Sequence, residues 1–152
     1  LVCEHPEVEA AAANCQTDQF DRPTVGSVTL CLNSFNPDDE NSRKEFTSLV
    51  VHEFLHILGM DSFNFPYFYD PKTGKPRTPR PLVEENVTCV DGKVRSVLLP
   101  DNNTIQEAYT SKGAHYFEVV TPTVRNVVRN QFNCQKMTGA MLENQPTWEG
   151  DW

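Results

Sequence analysis

The residues with the clearest chemical potential are His-Glu-Phe-Leu-His at positions 52–56. On a helix, His52 and His56 lie one turn apart on the same face, where two imidazoles can bind a single zinc ion. Glu53 lies beside them and can take a proton from a zinc-bound water. The pattern predicts half of a hydrolytic zinc site, with His52 and His56 as metal ligands and Glu53 as the general base.

A catalytic zinc usually has three protein ligands and one water, so the motif needs a further ligand. The compact pattern His-Glu-x-x-His-x-x-Gly-x-x-His holds through Gly59 but has Ser62 at the third histidine position. His115 lies downstream, although its strand-like surroundings favour a structural role. A glutamate from a later element is the other alternative, and no spacing distinguishes Glu84, Glu85, Glu107, Glu118 and Glu143. The residues alone leave the third ligand open.

A helix over about residues 42–58 is expected to carry the motif. Ser42 followed by Glu45 matches a capping box at its start. Gly59 is a natural stop because glycine readily adopts the backbone conformation that ends helices. Apolar residues recur at helical spacing and predict one buried face, formed by Phe46, Val50, Phe54, Ile57 and Leu58.

Before this helix, the sequence predicts one short helix and one strand. Residues 4–15 contain Pro6 and a run of four alanines, which favours a helix that begins at the proline. Residues 24–32 are β-rich and alternate in polarity, which indicates a strand. Pro23 at its start and Gly26 within it are typical of an edge strand or a bulge.

After the motif, the chain is expected to leave the core and then return to it. Residues 61–81 are aromatic, then rich in proline and basic side chains, and are interpreted as a long surface excursion. Strands are predicted over residues 94–99 and 115–120, and a second helix is predicted to start at Pro122. The whole pattern predicts an α+β fold.

Composition excludes several classes of protein. The 152 residues include 13 Lys and Arg against 21 Asp and Glu, which gives a formal net charge of −8. Such a balance argues against nucleic-acid binding, which usually requires a basic face. No apolar run approaches the roughly 20 residues that a membrane-spanning helix needs.

Five scattered cysteines in this acidic chain favour disulfides and an oxidising compartment. Cys15 and Cys31 bracket a turn and a strand, so they are the first predicted pair. Cys134 is expected to pair outside the chain, while a bond between Cys3 and Cys89 remains an open alternative. The odd number is one reason to expect a chain that is part of a longer protein.

Two glycosylation sequons agree with this compartment. Asn86-Val87-Thr88 and Asn102-Asn103-Thr104 can each accept a glycan during secretion. We therefore predict glycans at Asn86 and Asn102 and a location that is secreted or on the extracellular face of the cell surface.

Several ordered segments together resemble the leishmanolysin family of zinc metallopeptidases, from about Ala10 to the end. The segments before the motif are Asn14-Cys15-Gln16, residues 21–26 and Leu30-Cys31. Residues 51–60 resemble the zinc helix of the family. The run after the family's insertion is similar to residues 119–124, 132–134, 138–139 and 142–145.

The resemblance implies a partial metzincin-like zinc peptidase fold: an active-site helix, an edge strand, a long insertion after the helix and a second helix. Residues 1–60 would end the amino-terminal catalytic subdomain, and residues 61–152 would form the insertion and central region. In the family, the third histidine follows the segment matched by residues 142–145. No later position matches it here, so the third histidine and the Met-turn are expected beyond Trp152.

The expected function is therefore that of a zinc-dependent metalloendopeptidase with one Zn²⁺, of which this chain alone is an inactive portion. Its expected partners are protein or peptide substrates and the remainder of its own polypeptide, without nucleic acid. Another zinc peptidase class with a glutamate ligand is an alternative. The rival from a different class is a non-catalytic cell-surface or assembly component built on a peptidase-derived fold, in which Phe63 to Pro81 binds partners.

Overall fold

The computed structural model describes residues 8–89 and 92–142 of the chain. These residues form two α-helices and three small sheets, which confirms the predicted mixture of helix and strand. The chain divides into two compact units, one up to Asn64 and the other from Phe65 onward. In chain order the elements are β1 (Ala10–Thr17), β2 (Pro23–Leu30), α1 (Glu40–Ile57), β3 (Glu84–Thr88), β4 (Val94–Leu98), β5 (Ile105–Tyr109), β6 (His115–Val119), α2 (Pro122–Gln131) and β7 (Ala140–Met141).

The amino-terminal unit consists of an antiparallel β1–β2 hairpin that packs against α1. Its register runs from Ala10 opposite Leu30 to Asn14 opposite Gly26, with an irregularity after Asn14. The predicted short helix is therefore wrong from Ala10 onward, and residues 4–7 of that prediction lie outside the described residues. Alanine has the highest helix propensity, but that preference is worth little free energy per residue, and pairing with β2 together with packing against α1 outweighs it.

The start of α1 differs from the predicted capping box. Asp39 is the N-cap, and its Oδ2 accepts a 2.7 Å hydrogen bond from the backbone N–H of Ser42. A carboxylate at this position also interacts favourably with the positive end of the helix dipole. The helix consequently begins at Glu40, two residues before the predicted start. At the other end the predicted stop is confirmed, because Gly59 follows the cap residue Leu58 with φ +96°.

The apolar side chains of α1 divide between two faces. Phe46, Val50 and Ile57 are half-buried on the face that packs on the hairpin. Phe54 and Leu58 are 49% and 70% exposed, so their assignment to the same buried face is wrong. At about 100° per residue these two side chains are turned roughly 80–120° away from Phe46, beyond the reach of a two-stranded hairpin.

The carboxy-terminal unit contains the β3–β4 hairpin, the sheet β5–β6–β7 and α2. Its buried centre includes Val119 and Val120 of the β6 end, together with Thr104, which is fully buried before β5. α2 begins at Pro122 as predicted. Arg125 and Arg129 on this helix each donate a 2.8 Å hydrogen bond from Nε, to the backbone carbonyls of Thr138 and Met137.

Part of the segment predicted as a surface excursion is packed into this unit. Phe65 and Thr78 are buried. The Arg77 guanidinium donates to Thr104 Oγ1 at 3.1 Å and also to the Asn103 carbonyl. A purely solvated loop is therefore the wrong interpretation of residues 65–78, because the arginine anchors the segment to the turn before β5.

Within the part of the chain that the structure describes, neither helix combines the length and apolar character required to cross a bilayer.

Candidate metal centre

The motif histidines meet at the carboxy-terminal end of α1. His52 Nε2 and His56 Nε2 are 3.0 Å apart, and the two rings are nearly perpendicular at 86°. Two lone pairs at this distance repel each other unless a proton or a cation lies between them. A tetrahedral zinc with bonds of 2.0–2.1 Å would separate two such nitrogens by roughly 3.3 Å. The pair therefore fits two of the ligands of a zinc ion.

A backbone carbonyl defines the role of each nitrogen in His56. The Nδ1 atom of His56 lies 3.0 Å from the Met60 carbonyl oxygen. Because a carbonyl only accepts hydrogen bonds, Nδ1 must carry the hydrogen and donate. In the neutral ring this leaves the lone pair on Nε2, which faces His52. Metal-binding histidines usually donate their other ring N–H to an oxygen in this way.

Glu53 occupies the packed face of α1, one residue after the first histidine. It is only 5% exposed and lies at helical spacing from Val50 and Ile57. Among the described residues, no hydrogen bond or ion pair engages its carboxylate. The packing of α1 therefore holds the Glu53 side chain, and no polar partner within the described residues competes for its carboxylate.

Close contact between the hairpin and the helix positions the end of α1. A Cβ atom at Gly26 would lie 2.6 Å from both Cβ and Cγ2 of Ile57. Only glycine therefore permits this approach of β2 to the last turn. The predicted edge strand or bulge is confirmed, because β2 is one edge of a two-stranded sheet whose register shifts after Asn14, opposite Gly26. The contact of this glycine with the helix was not predicted.

An amide pair links the hairpin to the segment after the helix. The Nδ2 atom of Asn14 on β1 donates to Oδ1 of Asn64 at 2.9 Å. Asn64 is 6% exposed, and its own Nδ2 is buried without a hydrogen-bond partner in the part of the chain that is described. Sequence reasoning did not single out Asn64, because a lone asparagine in an aromatic loop carries no spacing signal.

The alternative ligands that the structure describes do not form a metal-binding cluster with one another. No group of three or more His, Cys, Asp or Glu side chains suited to a metal occurs within residues 8–89 and 92–142. His115 instead places Nε2 2.8 Å from Glu107 Oε1, and Glu84 accepts a hydrogen bond from Ser96. Glu85 lies exposed on β3, Glu118 is buried on β6, and Glu143 lies outside the described residues.

The predicted disulfide between Cys15 and Cys31 is wrong. Cys15 is an exposed free thiol, whereas Cys31 is buried and bonded elsewhere. The backbone N–H of Cys31 bonds to the carbonyl of Glu9, so Cys31 lies beside Glu9. Glu9 is six residues before Cys15, and six residues of a strand span roughly 20 Å, so Cys31 and Cys15 are far apart. A disulfide requires Cα atoms within about 7 Å. Cys89 is also a free thiol, so the alternative pair that included it is not formed, and Cys134 is a free thiol too.

Both sequon asparagines are exposed. Asn86 lies on β3, and Asn102 lies in the turn before β5. Glycosylation of these residues stays a prediction.

Comparison with known proteins identifies relatives over nearly the whole chain. The chain is 39% identical over 152 residues to a leishmanolysin-like peptidase of Caenorhabditis briggsae, covering 94% of this chain and 22% of the relative. It is 34% identical over 147 residues to a leishmanolysin-like peptidase of Drosophila melanogaster, covering 90% of this chain and 21% of the relative. The chain is homologous to the leishmanolysin-like peptidases. The resemblance predicted from the sequence is thereby confirmed.

A shorter match reaches a second group of relatives. The chain is 33% identical over 69 residues to the human ciliated left-right organizer metallopeptidase, covering 45% of this chain and 9% of the relative. The chain thus spans about a fifth of the length of the leishmanolysin-like peptidases that it matches. No family model and no solved structure matches it.

Proposed function

We propose that this chain carries the zinc-binding helix and general base of a metalloendopeptidase. The observation that carries the proposal is the approach of His52 Nε2 to 3.0 Å from His56 Nε2, on the helix that also holds Glu53. The homologous relatives named as peptidases support the same reaction class. The helix and the hairpin would belong to a partial metzincin-like fold.

Within this site, each residue has a distinct task. His52 and His56 would hold the zinc, and a third ligand would come from outside the described residues. A bound zinc would polarise the scissile carbonyl and lower the pKa of its water to about 7. Glu53 would accept the proton of the attacking water and return it to the leaving amine. The Met60 carbonyl holds the hydrogen on Nδ1 of His56, so that Nε2 faces the metal position.

The substrates would be proteins or peptides, in line with the peptidase relatives. We further propose that the site works in a secreted protein or at the extracellular face of the cell. The exposure of Asn86 and Asn102 supports glycan attachment at either sequon.

Substitution of the base tests the proposal. In the full-length protein, Glu53→Gln keeps the shape of the side chain but removes its capacity to accept a proton. We expect kcat/KM for peptide cleavage to fall by roughly 10²–10⁴-fold, the usual contribution of a general base. Metal analysis should find the same zinc content in the variant and the parent protein. Unchanged cleavage by the variant would refute the assignment of Glu53.

The non-catalytic assembly role is less well supported. The segment proposed as its partner surface is engaged within its own unit, where Phe65 is buried and Arg77 binds the turn at Asn103 and Thr104. These contacts leave less of the segment available to a partner protein.

A further inference from the structure

We propose that the Asn14–Asn64 amide pair and the turn at Gly59 and Met60 are positioning elements of the metal centre. They hold the Met60 carbonyl against Nδ1 of His56 and thereby fix the tautomer that presents Nε2 to a metal. The inference rests on the proposed zinc site. It adds residues from the hairpin and from the loop after α1, which the His-Glu-x-x-His motif does not contain.

The first step is the dependence of His56 on one carbonyl. The 3.0 Å contact from Nδ1 to the Met60 oxygen has a single workable hydrogen position, on the nitrogen. With the hydrogen fixed there, Nε2 of the neutral ring has an available lone pair. A displaced carbonyl would allow the other tautomer, in which Nε2 carries the hydrogen and cannot bind a metal.

The second step is the conformation that brings this carbonyl back to the helix. Met60 donates from its backbone N–H to Leu55 at 2.9 Å, and Gly59 donates to His56 at 3.0 Å. These bonds require Gly59 to adopt φ +96°, a region that L-residues rarely enter. A Cβ at Gly59 would also lie 3.4 Å from Cγ of Pro23 on β2. The turn is therefore specified by glycine and by contact with the hairpin.

The third step is the anchor at the far end of the turn. Asn64 donates from its backbone N–H to the Asp61 carbonyl at 3.0 Å, and its side chain accepts from Asn14. Asn14 lies opposite Gly26 in the hairpin, and Gly26 contacts Ile57, the residue after His56. The contacts form a closed path from the hairpin through the amide pair and the turn to His56, and back through Ile57. Both ends of the turn are therefore fixed to the same hairpin.

The test uses the full-length protein that contains this chain, labelled with [¹⁵N]histidine and free of metal. Solid-state ¹⁵N NMR at about pH 8.5, well above the usual histidine pKa of about 6.5, reports which nitrogen carries the hydrogen. The His56 signal is assigned by its loss in His56→Gln. Zinc affinity is measured separately by competition with a chelator.

We expect His56 in the parent protein to carry its hydrogen on Nδ1. Asn64→Leu and Gly59→Ala should populate the Nε2–H tautomer and weaken zinc binding by about 10–100-fold, the usual effect of losing a group that orients a metal ligand. Asn64→Asp keeps an accepting oxygen for Asn14 and should retain the parental tautomer. Gly113→Ala is the matched control, because Gly113 also has positive φ, at +83°, but no atom crowds it and it lies outside the closed path.

An Nε2–H tautomer at His56 in the parent protein would overturn the inference, as would a folded Asn64→Leu variant with the parental tautomer. If Asn64→Leu does not fold, Asn14→Ala replaces it, because Asn14 is only half-buried. A parental His56 tautomer in the folded Asn14→Ala variant would likewise overturn the inference. Loss of thermal stability without a tautomer change would indicate a merely structural role. Failure of the parent protein to bind zinc, with the expected tautomer pattern intact, would instead refute the proposed function.

Discussion

Each of the two units of the chain contains histidines with well-defined contacts, and the units differ in which groups the imidazole nitrogens contact. In the carboxy-terminal unit, His115 contacts Glu107 and lies against the rings of Tyr109 and Phe117. In the amino-terminal unit, His52 and His56 turn their Nε2 atoms toward each other. The first imidazole has a carboxylate partner of its own. The second arrangement brings two imidazole nitrogens close enough to share one proton or to bind one cation.

The contacts of each imidazole distinguish a metal-binding histidine from a structural one. His115 and Tyr109 contact the same atom, Glu107 Oε1, so the acceptor is already shared within the sheet. His56 uses its Nδ1 on a backbone carbonyl and keeps Nε2 for the partner histidine. One ring nitrogen oriented by the backbone and the other directed at a second ligand is the arrangement expected of a metal-binding histidine.

The largest expected effect follows from removing one histidine of each kind. In the full-length protein, His56→Ala should weaken zinc binding by more than the about 10–100-fold that loss of an orienting group costs, because a ligand itself is lost. His115→Ala should leave zinc affinity unchanged. Competition with a chelator measures both. Equal losses in the two variants would abolish the contrast and return His115 to the list of candidate ligands.

A reciprocal effect is expected at the anchor of the carboxy-terminal unit. Arg77→Ala removes the bonds to Thr104 and Asn103 and takes the Arg77 partner from the buried hydroxyl of Thr104. We expect the free energy of unfolding to fall by about 1–3 kcal/mol, measured by urea denaturation. Zinc affinity should not change.

Lys72→Ala provides the control for this anchor, because its exposed side chain should contribute within about 0.5 kcal/mol. An Arg77→Ala variant with altered zinc binding but parental stability would contradict the assignment of Arg77 as a structural anchor of its own unit.

The sequence predicted the elements whose signals are local. Helical spacing and the stop at Gly59 located α1, and the proline located the start of α2. Because the histidine spacing equals one helical turn, the approach of His52 to His56 followed directly. These features depend on residues within a few positions of each other.

The errors concern features that depend on partners far along the chain. Residues 10–15 form a strand because they pair with β2, and the local pattern of alanines does not indicate that pairing. The pairing of Cys15 failed because hairpin register, rather than proximity in sequence, decides which cysteines meet. Asn64 was missed for the same reason, since its partner Asn14 lies 50 residues away.

The smallest expected effect tests whether Glu107 is committed to its own sheet. The Tyr109 hydroxyl donates to Glu107 Oε1 at 3.1 Å, and this hydrogen bond, together with the carboxylate charge, raises the pKa of Tyr109 above its usual value of about 10. Glu107→Gln should therefore lower the Tyr109 pKa toward that value, as measured by ultraviolet absorbance titration. Tyr109→Phe identifies the shifted phenol by removing it from the titration.

The sign of the accompanying pH effect is fixed by the direction of this shift. Because the Tyr109 pKa is raised on folding, the stability from its bond to Glu107 is present below the unfolded pKa and is lost as pH rises through the folded one. Glu107→Gln should flatten this alkaline loss, and its zinc affinity should equal that of the parent protein. If the Tyr109 pKa of the Glu107→Gln variant equals that of the parent protein, the Glu107 carboxylate is not bound to Tyr109 in the sheet. That result would weaken the contrast between His115 and the His52–His56 pair.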